Sequence, residues 1–311
     1  MLRKLCCIIV CMHYLFLSCL AEENRFDAYP IEIDGKWGYC DAAGDLIISA
    51  QWAEAGEFCN GVARVSLEED LGQFHFACGL IDQNGAYILP PQYNIIEEQD
   101  IFHISQQDEQ GNALCGYWDK ASGFYLPPQY AGVRDNFPYY SMRPHDQFIA
   151  ARSPETGKWG FLHRSTGEIV LPFEYDDILF TFSDGFALVV QEEEMMDVWQ
   201  VIDQKGQPVE YGEGIMPVWG PTANGIVIIA KAAVTEEEKQ NALWGDIFGL
   251  ANSEGKIILS PCCGLIEWIH DQAYAFCTSD SRWGLLNEKG EIIIAPQFRS
   301  EEDLMEYAQS K

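Results

Sequence analysis

The feature that most constrains the fold of this chain is an internal repeat. The stretch from Lys158 to Val190, KWGFLHRSTGEIVLPFEYDDILFTFSDGFALVV, recurs in imperfect copies along nearly the whole sequence. It predicts three short strands joined by turns at Gly167 and at Asp184-Gly185. Because an isolated hairpin is marginal in water, one copy must bury its apolar face against neighbouring copies. The sequence therefore predicts a tandem β-repeat protein.

Each copy is marked by a glycine and by a turn glycine a few residues later, with a period of about 40 residues. One copy is degenerate, with Trp199-Gln200 in place of the first pair and Gly206 as its turn. The other pairs are Gly38 with Gly44, Gly79 with Gly85, Gly116 with Gly123, Gly160 with Gly167, Gly249 with Gly255, and Gly284 with Gly290. The approximate repeats are 34–70, 71–110, 111–150, 151–194, 195–240, 241–280 and 281–311.

The copies also agree chemically around these glycines. The residue before the first glycine is large or contains sulfur, and we expect it to be buried. An aliphatic run such as Ile169-Val170-Leu171 follows the turn, then a proline step such as Pro91-Gln92-Tyr93, then a third strand such as Phe182 to Val189. The residues before the first glycine are Trp37, Cys78, Cys115, Trp159, Phe248 and Trp283.

These motifs resemble those of the WG, or KWG, repeat family, and the resemblance covers about residues 34–300. The third copy, near Tyr117-Trp118, and the fifth, near Trp199, depart most from the family pattern. Members of the family are mostly bacterial and often exported, and they share no general assigned activity. The resemblance thus implies a β-rich binding or scaffolding role, with no catalytic residue, no cofactor and no metal ligand.

Seven copies of about 40 residues favour an all-β, propeller-like ring. The last copy stops after Phe298 without its third strand, while Ala28 to Ile33 is a strand-like stretch in the missing place. An open, twisted β-repeat array or solenoid is the alternative. Two short helices are predicted outside the strand pattern, near 235–244 and near 300–310. We expect the second to cover the exposed edge of the final repeat.

The N-terminal residues 1–21 have the layout of a secretory signal peptide. Arg3 and Lys4 precede an apolar run that ends in Cys19-Leu20-Ala21. The alternatives are a retained membrane anchor and a lipoprotein with lipid attached to Cys19. Cleavage after Ala21 leaves 22–311 as a single repeat domain without a membrane span. We expect a bacterial protein that is secreted, periplasmic or associated with the cell envelope.

The charge of the chain excludes one class of partner. There are 19 basic and 48 acidic residues, for a formal net charge of −29. Nucleic acid would be repelled. We expect the acidic clusters to be solvated loop faces that prevent self-association. They are Glu68-Glu69-Asp70, Glu97-Glu98, Glu192-Glu193-Glu194 and Glu236-Glu237-Glu238.

Seven cysteines remain after residue 21, and their odd number would leave at least one thiol free even if some were to pair. Cys78 and Cys115 stand where other copies have large apolar residues, so we expect them to be buried. The adjacent Cys262 and Cys263 are not expected to bond each other without strain. Because no C-x-x-C occurs, a zinc or redox motif is disfavoured.

No catalytic motif was found, so we predict that the protein is not an enzyme, with no catalytic, cofactor-binding or metal-binding residue. Five of the histidines are isolated: His75, His103, His145, His163 and His270. Asp82-Gln83-Asn84-Gly85 and Asp203-Gln204-Lys205-Gly206 resemble calcium loops, but their repetition at the hairpin position indicates turns.

Three functions stay open at this stage. The favoured one is an exported binding or scaffolding protein that holds a protein partner. The alternative is recognition of glycan or cell wall through nine tryptophans and fourteen tyrosines, if some are exposed. A hydrolase whose carboxylates meet only in three dimensions is less favoured.

Overall fold

The computed structural model describes residues 27–70, 76–98, 101–135, 147–183, 185–193, 196–222, 224–242, 245–270 and 273–309. The predicted signal peptide and Cys19 lie outside these ranges. In these ranges, antiparallel strands and two short helices make up the regular structure, which confirms the all-β repeat class. In the described part of the chain, no helix is long and apolar enough to cross a membrane. Whether the repeats form a ring or an open array stays a prediction.

The chain divides into two compact units, of which the first comprises residues 1–108 and 117–125. Its first sheet has the strand order β1-β2-β3. Strands β4 to β8 are hydrogen-bonded to one another in sequence order. The strands are β1 (Tyr29–Ile33), β2 (Lys36–Cys40), β3 (Leu46–Trp52), β4 (Glu54–Ala55), β5 (Ala63–Asp70), β6 (Phe76–Ile81), β7 (Tyr87–Glu97) and β8 (Ile101–Gln107).

The second unit comprises residues 109–116 and 126–311. Its sheets have the orders β11-β12-β13-β14, β15-β16-β17, β18-β19-β20-β21 and β22-β23-β24-β25. The third copy is carried by β9 (Ala113–Asp119) and β10 (Tyr125–Tyr130). The remaining strands are β11 (Gly132–Arg134), β12 (Phe148–Arg152), β13 (Trp159–His163), β14 (Ile169–Tyr175), β15 (Asp177–Ser183), β16 (Phe186–Glu193), β17 (Met196–Asp203), β18 (Ile215–Trp219), β19 (Ile226–Ala232), β20 (Asp246–Asn252), β21 (Ile257–Cys263), β22 (Leu265–His270), β23 (Ala273–Cys277), β24 (Trp283–Leu286) and β25 (Ile292–Phe298).

The hydrophobic core lies between consecutive sheets. Strand β19 illustrates this, because its side chains alternate between two clusters. Val227 and Ile229 pack with Leu188 of the preceding sheet. Ile226 and Ile228 belong to a cluster that contains residues of the following sheet, such as Tyr274 and Phe276. Each repeat thus packs its apolar side chains against those of its neighbours. A single hairpin is only marginally stable, so the repeats need this packing to fold.

A buried ion pair lies at the end of strands β11 and β13 of one sheet in the second unit. Arg164 Nη1 and Nη2 donate to Asp135 Oδ1 and Oδ2 at 2.7 Å each, and both residues are buried. The Thr181 hydroxyl, on the next sheet, donates to the backbone carbonyl of Asp135 at 3.0 Å. Because the pairing is bidentate, it fixes the geometry of Asp135 as well as its charge.

The repeats of the sequence are offset from the sheets. The predicted third strands are in fact hairpins: Phe182-Ser183 ends β15, and β16 begins at Phe186. At the equivalent turn, Asn60 and Gly61 both have positive φ, which two-residue hairpin turns favour. Strand β16 then pairs with β17 of the following copy. The fourth copy, for example, therefore spans two sheets, with β13 and β14 in one and β15 and β16 in the next, and four-stranded sheets such as β18-β19-β20-β21 arise where the sequence indicated two or three strands.

The glycine of each WG pair has a defined packing role. In β6, Cys78 pairs with Tyr93 and Leu80 with Leu89, so residues 90–92 bulge opposite Gly79 alone. A Cβ on Gly79 would lie 2.6 Å from the Leu89 carbonyl oxygen. The equivalent distances are 2.5 Å for Gly38, 2.8 Å for Gly160 and 2.6 Å for Gly284, and Gly116 and Gly249 face the Leu126 and Leu259 carbonyls in the same way.

The same geometry explains the structure of the two copies that depart most from the family pattern. The third is regular, because Gly116 faces the Leu126 carbonyl as in the other copies. In the fifth copy, the strand that should follow the turn at Gly206 is missing, and only an isolated bridge between Ile202 and Pro208 takes its place. Gln200 stands at the glycine position, where in the other copies a Cβ would meet the backbone of the bulged strand. The departure in the fifth copy thus has a steric cause.

The expectation that the residue before each glycine is buried is only partly correct. Cys78 and Trp159 are buried, whereas the others are half-buried. The Arg134 guanidinium stacks on the Trp159 ring, with its Cζ 4.5 Å from the centroid, and covers the indole. The half-buried residues at this position are Trp37, Cys115, Phe248 and Trp283.

Both predicted helices are present, as α1 (Glu236–Asn241) and α2 (Glu301–Gln309). Thr235 caps α1, and Glu238 completes the predicted capping box. In α2, Leu304 is fully buried in a cluster with Ala273, Ala275 and Leu285. The second helix therefore covers a face of the last sheet, where we had expected it to cover an edge.

We expect Gly79→Ala to destabilise the protein by about 1–3 kcal/mol, because the added Cβ meets backbone atoms that cannot move aside. The measurement is the free energy of unfolding in urea. Gly56→Ala is the matched control, since its Cβ would be 3.4 Å from the nearest atom, an ordinary contact. Equal losses in both variants would contradict the steric role of the WG glycine.

Candidate interaction surface

Large aliphatic or aromatic side chains are exposed at one repeated position, the first residue after the turn. Leu46 is 49 % exposed, Tyr87 45 %, Ile169 60 % and Ile292 60 %. They occupy the same register, pairing with Cys40, Ile81, Leu162 and Leu286 of the respective WG strands. The next residue is also exposed in Ile47 and Ile293. Recurrent exposure of large apolar groups indicates a binding role.

Leu46, Ile169 and Ile292 lie on edge strands, whereas Tyr87 lies on β7, which pairs with both β6 and β8. Strands β3, β14, β21 and β25 are each last in the order of their sheets. A proline in the bulge, such as Pro172 or Pro296, removes a backbone donor from the middle of the edge. The three aliphatic positions before the bulge contain no proline, and in the described part of the chain no further strand pairs with the outer side of β3, β14, β21 or β25. An extended peptide can pair with such an edge segment.

The turns beside this surface are held by Asp and Asn side chains. Asp82 Oδ1 accepts the backbone N–H of Asn84 and of Ala86 at 2.9 Å each. The bond from Ala86 is the main cause that lowers the pKa of Asp82. Asp41, Asp203, Asn252 and Asn287 accept the same two bonds in their copies. This confirms that these segments are turns.

The acidic clusters are not loop faces. Three of them lie at the ends of β5, β7 and β16, and the fourth forms the first turn of α1. Glu97 pairs with Lys120 at 2.9 Å. Glu238 pairs with Lys231 at 2.7 Å, and the hydrogen bond from Lys231 is the main cause that lowers the pKa of Glu238 to about 2. These acidic groups therefore also stabilise local structure.

The sequence profile described as WG containing repeat matches four segments of the chain, at residues 37–69, 79–98, 159–194 and 283–300. The matched segments contain the first, second, fourth and seventh WG positions. The chain contains WG repeats in these four segments. No curated protein sequence matches it.

Several solved structures match this chain at low sequence identity. Hsv2 from Kluyveromyces lactis has 12 % identity and a TM-score of 0.28, over 65 % of this chain and 61 % of Hsv2. This WG-repeat protein thus matches less than two thirds of Hsv2. BamB from Moraxella catarrhalis has 11 % identity and a TM-score of 0.30, over 81 % of this chain and 78 % of BamB. The WD40 β-propeller domain of Doa1 has 11 % identity and a TM-score of 0.24, over 84 % of this chain and 64 % of that domain.

The aromatic residues are mostly unavailable. None of the tryptophans in the described part of the WG-repeat protein is exposed, and Trp52 is fully buried. The exposed tyrosines include Tyr29 and Tyr87. Stacking platforms for sugars, on which the glycan alternative depends, are therefore few among the described residues.

The structure places the sequence-predicted polar residues as follows. His103 and His163 are half-buried, and His163 Nδ1 lies 3.3 Å from the Ser165 hydroxyl. His75 and His145, and the side chain of His270, lie outside the described part. Cys78 is buried as predicted, whereas Cys115 is half-buried. In the described ranges, no group of three or more His, Cys, Asp or Glu side chains could hold a metal ion.

The repeated exposed position was missed by sequence reasoning, which treated the aliphatic run only as a strand. The available signal was that the run has three apolar residues in succession, as in Ile292-Ile293-Ile294. A strand with only one buried face needs an apolar residue at every second position. The additional apolar residues in each run therefore indicated a role other than packing in the core.

We expect Asp82→Asn to make the stability of the protein less sensitive to acid. The pKa of Asp82 is lower in the folded than in the unfolded chain, so its ionised form stabilises the fold above about pH 4, and this contribution is lost as pH falls. Asn keeps the acceptor oxygen, as Asn252 and Asn287 do. Urea midpoints of both proteins at about pH 6 and about pH 2 would test this. A wild-type advantage that is unchanged at low pH would contradict it.

Proposed function

We propose that this WG-repeat protein is an exported, non-enzymatic scaffold that binds a protein partner through the exposed starts of its edge strands. The observation that carries the proposal is the recurrence of exposed Leu46, Ile169 and Ile292 at one register of three edge strands, with exposed Tyr87 at the same register of β7. Folding does not require large apolar side chains at an exposed position. Their repetition across copies is therefore best explained by selection for contact with another molecule.

The edge strands provide the second support. An extended partner segment can add to β14 or β25 by main-chain hydrogen bonds, while its side chains contact Ile169 or Ile292 and its neighbour Ile293. Bulges and prolines limit such pairing to the first residues of the edge, which protects the protein from unlimited self-association. The same features make several short, equivalent sites, and binding at several sites increases overall affinity.

The charge of the protein indicates the chemistry of its partner. A formal net charge of −29 creates a field that attracts basic surfaces and repels acidic ones. We therefore propose a protein whose binding segments combine apolar residues with Lys or Arg. Electrostatic attraction would speed the encounter, and apolar contact with the edge residues would supply most of the affinity.

We expect the double variant Ile169→Ser/Ile292→Ser to capture at least about tenfold less partner protein from a bacterial envelope extract. Two exposed isoleucines that become buried in a complex contribute well above the 1.4 kcal/mol that corresponds to tenfold. The measurement is capture by immobilised protein, quantified by mass spectrometry. Unchanged thermal unfolding would show that the fold is intact.

Val234→Ser/Met216→Ser is the matched control, because both residues are exposed apolar groups outside the repeated position. Equal capture by the two double variants would overturn the proposed surface. Protease treatment of the extract should abolish capture. Capture that survives the treatment would favour the glycan alternative.

Export generates a separate prediction. We expect the full-length chain, produced in a bacterial host, to be recovered outside the cytoplasm with Glu22 as its first residue. Intact mass measurement of the mature protein tests this. A mass increased by acyl groups at Cys19 would indicate the lipoprotein alternative, and retention of Met1 would contradict cleavage.

A further inference from the structure

The sixth copy places two thiols side by side in its bulge. Along a regular strand, consecutive side chains point to opposite faces. Here Phe248 pairs with Cys263 and Leu250 with Leu259, so residues 260–262 bulge opposite Gly249. Bulges change the direction of side chains, and the Sγ atoms of Cys262 and Cys263 are 3.9 Å apart. At the corresponding positions other copies have Gln92-Tyr93 and Gln297-Phe298.

The two thiols have different environments. Cys262 is exposed, whereas Cys263 is buried in the core cluster that includes Leu250 and Ile266. The hydrogen bond with Cys263 lowers the pKa of Cys262 to about 7. The same bond and burial raise the pKa of Cys263. The exposed sulfur is therefore the nucleophile, and the buried one holds the proton.

A third thiol borders the pair. Cys277 is buried on β23, its backbone carbonyl accepts the N–H of Gly264 at 2.9 Å, and it interacts electrostatically with Cys263. Burial is the main cause that raises the pKa of Cys277. Cys277 is thus a poorer nucleophile than Cys262.

We propose that Cys262 and Cys263 form a reversible dithiol site that reacts with small-molecule disulfides. The Cys262 thiolate attacks one sulfur of the disulfide, which forms a mixed disulfide and releases one thiolate. Cys263 then gives up its proton, attacks Cys262 Sγ, and displaces the second thiolate. The net reaction oxidises two protein thiols to one disulfide and reduces one small disulfide to two thiols.

The bond formed in this reaction is labile. Adjacent Cα atoms are about 3.8 Å apart, below the usual range of about 4.4–6.8 Å for disulfides. The resulting strain raises the reduction potential, so mild thiols reopen the ring. The strain that disfavoured this pair in the sequence therefore makes the site reversible. The bulge supplies the proximity that sequence adjacency alone does not.

The reduced full mature chain, treated without oxygen with the aromatic disulfide 5,5′-dithiobis(2-nitrobenzoate), should release two equivalents of thionitrobenzoate in its fastest phase. Residues 257–281 contain no Lys or Arg, and cleavage after Glu267 separates Cys277 from the pair. The fragment Ile257–Glu267 should carry the internal bond, with no adduct. A stable adduct on Cys262, or a bond from either cysteine to Cys277, would overturn the proposal.

Variants add an independent readout. Cys262→Ser should lose the fastest phase, whereas Cys263→Ser should release one equivalent and retain the adduct on Cys262. Cys263→Ala replaces the serine variant if the buried hydroxyl prevents folding. Cys59→Ser is the control, because Cys59 is a half-buried thiol outside the pair. A fast phase that is lost with Cys59→Ser and kept with Cys262→Ser would also overturn the proposal.

Discussion

The structure depends on the close approach of a bulged strand to the glycine of each WG pair. The carbonyl that follows the aliphatic run lies where a Cβ would be, as Leu89 does against Gly79. This contact lets an aromatic residue such as Tyr93 return to register beside the residue before the glycine. The fifth copy shows the result when the glycine is absent. Gln200 stands in its place, and the strand that should follow is reduced to a single bridge. The absence of a Cβ at this position in each copy thus allows the strand after the turn to pair with the WG strand.

The second organising principle is the offset between repeat and sheet. The hairpin that ends one copy pairs with the WG strand of the next copy, as β16 does with β17. Such a copy therefore contributes strands to two adjacent sheets. Side chains then alternate between the two intersheet cores, as in β19. Local hydrogen bonding and the hydrophobic core are consequently coupled from copy to copy, so that a copy is not an independent folding unit.

The same bulge produces the surface and the thiol pair. It ends the part of each edge strand that can accept a partner, because proline and irregular backbone follow the aliphatic run. In the sixth copy it directs Cys262 toward Cys263 rather than to the opposite face. Both proposed functions therefore depend on a structural irregularity that the repeat already requires, and sequence variation within the bulge changes its chemistry without changing the fold.

The sequence by itself determined the all-β class, the positions of the WG glycines, the turns at Asp82 and Asp203, and both short helices, because these follow from local patterns of glycine, apolar residues and capping groups. It also identified Gly79 and its equivalents as special. Only the tertiary structure decided that the predicted third strands are hairpins shared between sheets, that Leu46 and Ile169 are exposed, and that α2 covers a face. Strand pairing and burial are interactions between distant segments, and no local pattern encodes which strand a given edge will meet.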